Sequence, residues 1–221
     1  MDDDWESMGA ERISELPIVR QWPRLSNHTR MVEMFSEMGV LGSAPLHEAL
    51  LRSSRGYHSL PLPSDIGDVN IETSALRMPW WKDVSVHQSL LPGLYETIQV
   101  LQALDIRQGD DVLIIGPRGN WWTEIAMQLG ARRIRVVGTI EERLAELRSR
   151  WASLRLDQAA EALGCEIEWR VVGSHRDARP PAGWDRILIT GGLSEAPMSI
   201  METMARGGLS LIHISEPTRQ P

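Results

Sequence analysis

The sequence predicts an α/β protein built on a doubly wound, mainly parallel sheet preceded by a helical arm, and three observations support this. From residue 111 onward, short apolar runs alternate with segments of helical spacing, the pattern of a parallel sheet with helices on both faces. The first of these runs, DDVLIIG, is apolar without interruption, as a strand buried on both sides must be. The carboxyl ends of the runs then fall at Gly116 to Asn120, Gly138 to Glu142, Gly173 to Asp177 and Thr190 to Gly192. Open parallel sheets hold their ligands outside those ends.

Taken in order, residues 1–25 are polar, contain Pro17 and Pro23, and read as a loosely held N-terminal arm. Residues 26–105 form a helical and loop-bearing region. Within it, RMVEMFSEMGVLGSAPLHEALL reads as two short helices separated at Gly39 and Gly42. Met31, Met34, Phe35 and Met38 share one face there, a stripe expected to enter the core rather than bind a ligand. Residues 53–92 are rich in loop signals, with prolines at 61, 63, 79 and 92, and LYETIQVLQAL has helical spacing. The sheet region spans 106–208. There WTEIAMQLG is a helix stopped by Gly130, and RIRVVG is a second strand. TIEERLAELRSRWASLRLDQAAEALG reads as one long amphipathic helix capped by Thr139. EIEWRVVG and WDRILITGG are a third and a fourth strand. SEAPMSIMETMARGG reads as a helix whose terminal glycine pair leads to a fifth strand.

The closing residues LSLIHISEPTRQP change character abruptly. LSLIHISEPTR resembles the in-frame translation of a transposase adapter used in sequencing-library preparation. On that reading 209–221 is a non-native tail, the native chain stops near Gly208, and the C-terminal strands are missing. The alternation in LSLIHI would then pose as a strand by accident, and His213, Glu216 and Arg219 carry no functional weight.

Composition narrows the function classes. The 221 residues are 42% hydrophobic and 24% charged, as in a soluble globular protein with a sizeable core. A net charge of -7 argues against nucleic acid as a partner. The single cysteine, Cys165, excludes an internal disulfide and suits a reducing cytoplasm. The start MDDDWESM is acidic where a signal peptide is basic and then apolar, and no apolar run has membrane-spanning length. The six histidines lack metal-ligand spacing, so no metal site is expected, and His87 and His175 are read as solvated loop residues. A monomer in the cytoplasm with no membrane partner is the expectation.

The turn GPRGNW after the first strand has the position for a nucleoside, because the next helix offers free N–H groups and a positive dipole end. Glu141, at the second strand's end, stands about where an acid grips ribose hydroxyls, and Glu142 is its weaker neighbour. The order of arm, loop and sheet resembles the protein-L-isoaspartate O-methyltransferase family, from about Arg30 to Gly208. RMVEMFSEMGVLGSAPLHEALLRSSRGYH is similar to that family's opening, and WKDVSVHQSLLPG to its substrate loop. DDVLIIGPRGNW stands at its cofactor turn, WDRILITGGLSEAP at its fourth strand, and METMARGG at its L-x-x-G-G turn.

The resemblance implies a Rossmann-like methyltransferase fold, S-adenosylmethionine as cofactor, and an isoaspartyl-bearing protein or peptide as substrate. It assigns Gly116, Pro117, Arg118, Gly119, Asn120, Glu141, Gly173 and Ser174 to the cofactor. Asp83, Gln88, Thr190 and Gly191 fall to the substrate, and Ser89 to catalysis, although an alternative alignment of QSLLP puts Leu91 in the serine's place. Trp80 and Trp81 could wall a peptide groove. The chain departs from the family at Arg118 and Asn120, which replace glycines. It departs again at Ile114, which replaces an acid facing the cofactor's methionine part, and at Ser174, which replaces an aspartate. Asn120 is expected to hold the turn because asparagine tolerates positive φ.

The implied chemistry is methyl transfer to a carboxylate, already ionised at neutral pH because its pKa is about 4. Positioning and water exclusion then matter more than a general base. A non-catalytic methyltransferase-fold binding protein is the alternative that the altered turn supports. A precorrin-type methyltransferase fits the helical arm less well. A nicotinamide oxidoreductase is disfavoured because the last glycine of G-x-G-x-x-G is absent.

Overall fold

The apolar runs become the strands of a five-stranded sheet in which every neighbouring pair is parallel. In this computed structural model the described residues are 28–53, 58, 84–86, 89–91, 93–117, 119–173, 183–190, 200, 202 and 204–212. The elements are α1 (His28–Glu37), α2 (Ala44–Arg52), β1 (Val84–Val86), β2 (Ser89–Leu91), α3 (Leu94–Leu104), β3 (Asp111–Ile115) and α4 (Trp121–Gln128). They continue with β4 (Arg133–Gly138), α5 (Glu141–Ser153), α6 (Leu156–Leu163), β5 (Glu166–Val171), β6 (Trp184–Ile189) and β7 (Met204–Ile212). The sheet order is β5-β4-β3-β6-β7, while β1 and β2 form a separate antiparallel hairpin.

Strand periodicity divides the core in two. Val112, Ile114, Ile134, Val136 and Leu188 point to the face covered by helices, where Phe35, Leu50, Leu101, Trp121 and Ile125 meet them. Leu113, Ile115, Val137, Ile187 and Ile189 point the other way, onto Trp184 and Ile200. The guanidinium groups of Arg133 and Arg135 lie 4.8 and 5.2 Å from the Trp184 ring centroid, so cations cover part of this second face.

The two short helices before the loop region form as the sequence predicts. Met31, Val32, Met34 and Phe35 are buried on α1, and Ser43 caps α2 by accepting from the Leu46 amide. α4 stops where expected, because Gly130 takes φ +90, a left-handed conformation that side chains rarely adopt.

Three expectations need correction. The long helix after β4 is two helices, broken where Arg155 takes φ +56. Leu147 and Trp151 share a face, but Leu156 and Ala160 fall on the opposite side of a continued helix. Breaking the chain lets all four reach the core. Thr139 is not the N-cap of α5; that position is Ile140, which makes no side-chain cap bond. The segment MARGG is strand, not the end of a helix, since Met204 already pairs with Trp184 in β7. Met204–Ile212 then runs through Gly208 without interruption, the glycine pair lying at a register shift that absorbs an irregularity in the ladder.

Cys165 is buried just before β5, and burial raises its thiol pKa to about 11, with the charge of Glu166 adding to the effect. A raised value keeps the thiol protonated at pH 8, where only thiolate attacks alkylating reagents. Iodoacetamide at pH 8 should therefore label the folded protein far more slowly than the urea-unfolded chain. Equal rates in the two states would refute the burial argument.

Candidate active site

The strand order reverses between β3 and β6, so the crevice of an open sheet lies outside the carboxyl ends of these two strands. Gly116, directly after β3, takes φ +67 and turns the chain there. Its N–H donates to the Val137 carbonyl at 2.8 Å, and its own carbonyl accepts the Thr190 hydroxyl at 2.7 Å. The Thr190 amide donates to the Ile115 carbonyl at 3.0 Å. The turn is thus tied to the strands on both sides of it. The neighbouring strand ends are aligned in the same way, by Val172 N–H donating to the Gly138 carbonyl at 3.0 Å.

Within the turn, Gly116 and Gly119 are half-buried and Pro117 is buried. The α4 end carries no side-chain cap, so its first N–H groups are left for a ligand or solvent. Glu141 opens α5 beyond β4 with its side chain exposed, and Gly173 is exposed beyond β5. The structure therefore brings Gly116, Pro117, Gly119, Glu141, Gly173 and Thr190 to one end of the sheet. Arg118, Ser174, Asp83, Gln88 and Gly191 lie outside the described residues, as do Trp80 and Trp81. Ser89 opens β2, where it pairs with Val86 in the hairpin that leads through Gly93 into α3.

Two assignments change. Asn120 does not need positive φ: its φ is −93, and Gly116 supplies the left-handed step instead. The Asn120 side chain is buried and its amide donates to the Leu147 carbonyl at 2.7 Å, which braces α4 against α5. Thr190 directs its hydroxyl proton to Gly116, which makes it a brace of the turn, with only its oxygen lone pairs left for other partners. Ile114, at the family's acidic position, is packed in the helix-side core.

One buried pair was not singled out as a site in the sequence. Glu124, in the first turn of α4, and His58 meet at 2.5 Å, with side chains 9% and 1% exposed. The legible signal was a glutamate on the same stripe as Trp121 and Ile125, because a carboxylate on an apolar face needs a partner.

A parallel sheet with a strand-braced glycine turn at its switch point, and an acid beyond the next strand, has the architecture of the Rossmann-like methyltransferase fold. Within that class the chain is similar to protein-L-isoaspartate O-methyltransferases. It is 27% identical over 192 residues to the one of Methanopyrus kandleri, which covers 85% of this chain and 76% of that protein. A Plasmodium falciparum protein described as of this type, solved in complex with S-adenosyl-L-homocysteine, superposes with a TM-score of 0.60 at 13% identity. That match covers 87% of this chain and 86% of the other. A second protein-L-isoaspartate O-methyltransferase structure gives a TM-score of 0.64 at 14% identity, covering 85% of this chain and 55% of that one. No family model matches the chain. Among the described residues no helix is long and apolar enough to cross a membrane.

Proposed function

We propose that the protein is an S-adenosylmethionine-dependent carboxyl O-methyltransferase that acts on L-isoaspartyl residues of proteins or peptides, in repair or in peptide tailoring. The observation that carries this reading is the braced turn at Gly116, at the switch point of a chain similar over most of its length to such enzymes. The residues fit the cofactor. Gly116 leaves its backbone open to close approach, the uncapped α4 end presents N–H donors, and Glu141 offers an exposed carboxylate to ribose hydroxyls. Pro117, Arg118, Gly119, Gly173 and Ser174 complete the assignment to that ligand.

When bound, S-adenosylmethionine supplies an electrophilic methyl group. The chain's own task is then to hold a carboxylate in line with it and to keep water away. Ser89, Gln88 and Gly191 are assigned to grip the substrate carboxylate by hydroxyl, amide and backbone donors, while Asp83 holds the substrate loop. The hairpin carrying Ser89 enters α3, whose Thr97 is bonded to Trp122 of α4, so substrate and cofactor segments share one scaffold. The protein acts as a cytoplasmic monomer, without nucleic acid, membrane or metal. Residues 1–25, 26–105 and 106–208 form its arm, helical and substrate-loop region, and cofactor-binding core; 209–221 is a non-native tail.

The test is release of labelled methyl ester from an isoaspartyl peptide and from the matching aspartyl peptide. Transfer to the first and none to the second is expected, because the isoaspartyl linkage displaces the carboxylate by one methylene and the site selects by geometry. Cofactor binding without transfer to either peptide would reject this substrate. Absence of cofactor binding as well would favour the non-catalytic binding protein, for which the replaced glycine at 118 speaks.

A further inference from the structure

The residues that follow the cofactor turn are held by an unusual set of buried bonds. Asn120 donates to Leu147 of α5, Trp121 Nε1–H to the Ser53 carbonyl at the end of α2, and Trp122 Nε1–H to the Thr97 hydroxyl of α3. Glu124 completes the set by bonding the His58 imidazole. Four side chains within five residues thus tie the first turn of α4 to four different parts of the chain. Three of these anchors are amides or indoles, neutral groups that bond with ordinary strength. The fourth joins a carboxylate and an imidazole out of water, where such a bond is strong and its loss costly. The backbone at Glu124 belongs to the same turn, since its N–H donates to the Asn120 carbonyl at 2.9 Å. His58 makes no other side-chain bond: its Nδ1 is buried without a partner among the described residues.

We propose that Glu124 and His58 are positioning residues for the transfer reaction, fixing the first turn of α4 and through it the cofactor-binding turn Gly116–Asn120. The inference rests on the cofactor reading above. In a family whose turn is glycine-rich, the backbone can settle around its ligand. This chain carries Arg118 and Asn120 instead, so the geometry of the turn is imposed by tertiary anchors on the helix behind it. Glu124 does not touch the cofactor. It acts by aiming the N–H groups of α4, and small errors of aim are costly in a site that works by positioning.

The experiment measures calorimetric Kd for S-adenosylhomocysteine, and KM for cofactor and peptide, in Glu124→Ala, Glu124→Gln, His58→Ala and the double alanine variant. Each is compared below its own melting temperature, with near-ultraviolet circular dichroism as the check of folding. Both alanine variants should bind about tenfold more weakly, the effect of one buried charge-assisted bond. The rise should appear in the KM for cofactor and not in the KM for peptide. Glu124→Gln, which keeps an acceptor for the imidazole, should recover most of the affinity, and the double variant should be no worse than either single one. Unchanged Kd in folded alanine variants, with only a lowered Tm, would overturn the proposal. So would a glutamine variant as weak as the alanine one, or a loss shared equally by both KM values. If one alanine variant fails to fold, the other decides, and a Kd equal to that of wild type in it overturns the proposal. A wild-type chain that binds no S-adenosylhomocysteine would overturn the cofactor reading first and this inference with it.

Discussion

Trp121→Ala should lower the unfolding free energy by about 3–5 kcal/mol, the range for deleting a large aromatic from a packed interior. Trp121 is 1% exposed and is among the largest fully buried side chains of the described residues. Its ring meets His28 of α1 edge-on at 6.2 Å, and its Nε1–H reaches the Ser53 carbonyl at 2.9 Å. Removal therefore leaves a cavity between arm and sheet, and also a buried carbonyl at the end of α2 without its donor. Domains of this size are stable by about 5–15 kcal/mol, so the loss is a large fraction of the total. Urea unfolding should give a lower midpoint with little change in slope. Trp121→Phe keeps most of the packing and loses the bond, and should cost about 1–3 kcal/mol. Alanine and phenylalanine variants within about 1 kcal/mol of wild type would show that arm and sheet are not coupled through this residue.

Gly116→Val should weaken binding of S-adenosylhomocysteine by at least about tenfold, equivalent to about 1.4 kcal/mol. At φ +67 any L residue is strained by about 1–2 kcal/mol, and a β-branched one by more. The strain has no easy outlet. Rotating the residue to negative φ would break the bond from Gly116 N–H to Val137, the bond from the Thr190 hydroxyl to Gly116, or both. Either outcome moves the turn or fills the crevice with a side chain. Thermal melting separates the two contributions, since strain lowers Tm with or without ligand, while obstruction lowers only the ligand-induced rise. A variant that binds as tightly as wild type would remove Gly116 from the cofactor site.

Much of the fold was legible because the apolar pattern is nearly unambiguous. DDVLIIG carries the unbroken apolar run of a doubly buried strand, and the stripe of Met31, Met34 and Phe35 has the spacing of a helix face packed inward. The helix break at Arg155 was not legible. A hydrophobic pattern gives which residues want burial, but not whether one straight axis can bury them all. The start of β7 was hidden for a related reason: METMARGG has helix-forming residues, and pairing of Met204 with Trp184 overrides that preference. Glu124 was not singled out from the sequence, because its partner His58 lies far away along the chain.

The sequence by itself determined the class of fold and the family likeness, since strand periodicity and motif order are local properties. Only the tertiary structure decided which partners the polar residues around the turn take. Asn120 braces α4 on Leu147, Thr190 clamps Gly116, and Glu124 finds His58. A hydroxyl, an amide or a carboxylate carries the same hydrogen-bonding capacity wherever it stands in a sequence. Its role follows from the one partner that folding brings within about 3 Å, and that partner is set by the packing of distant segments.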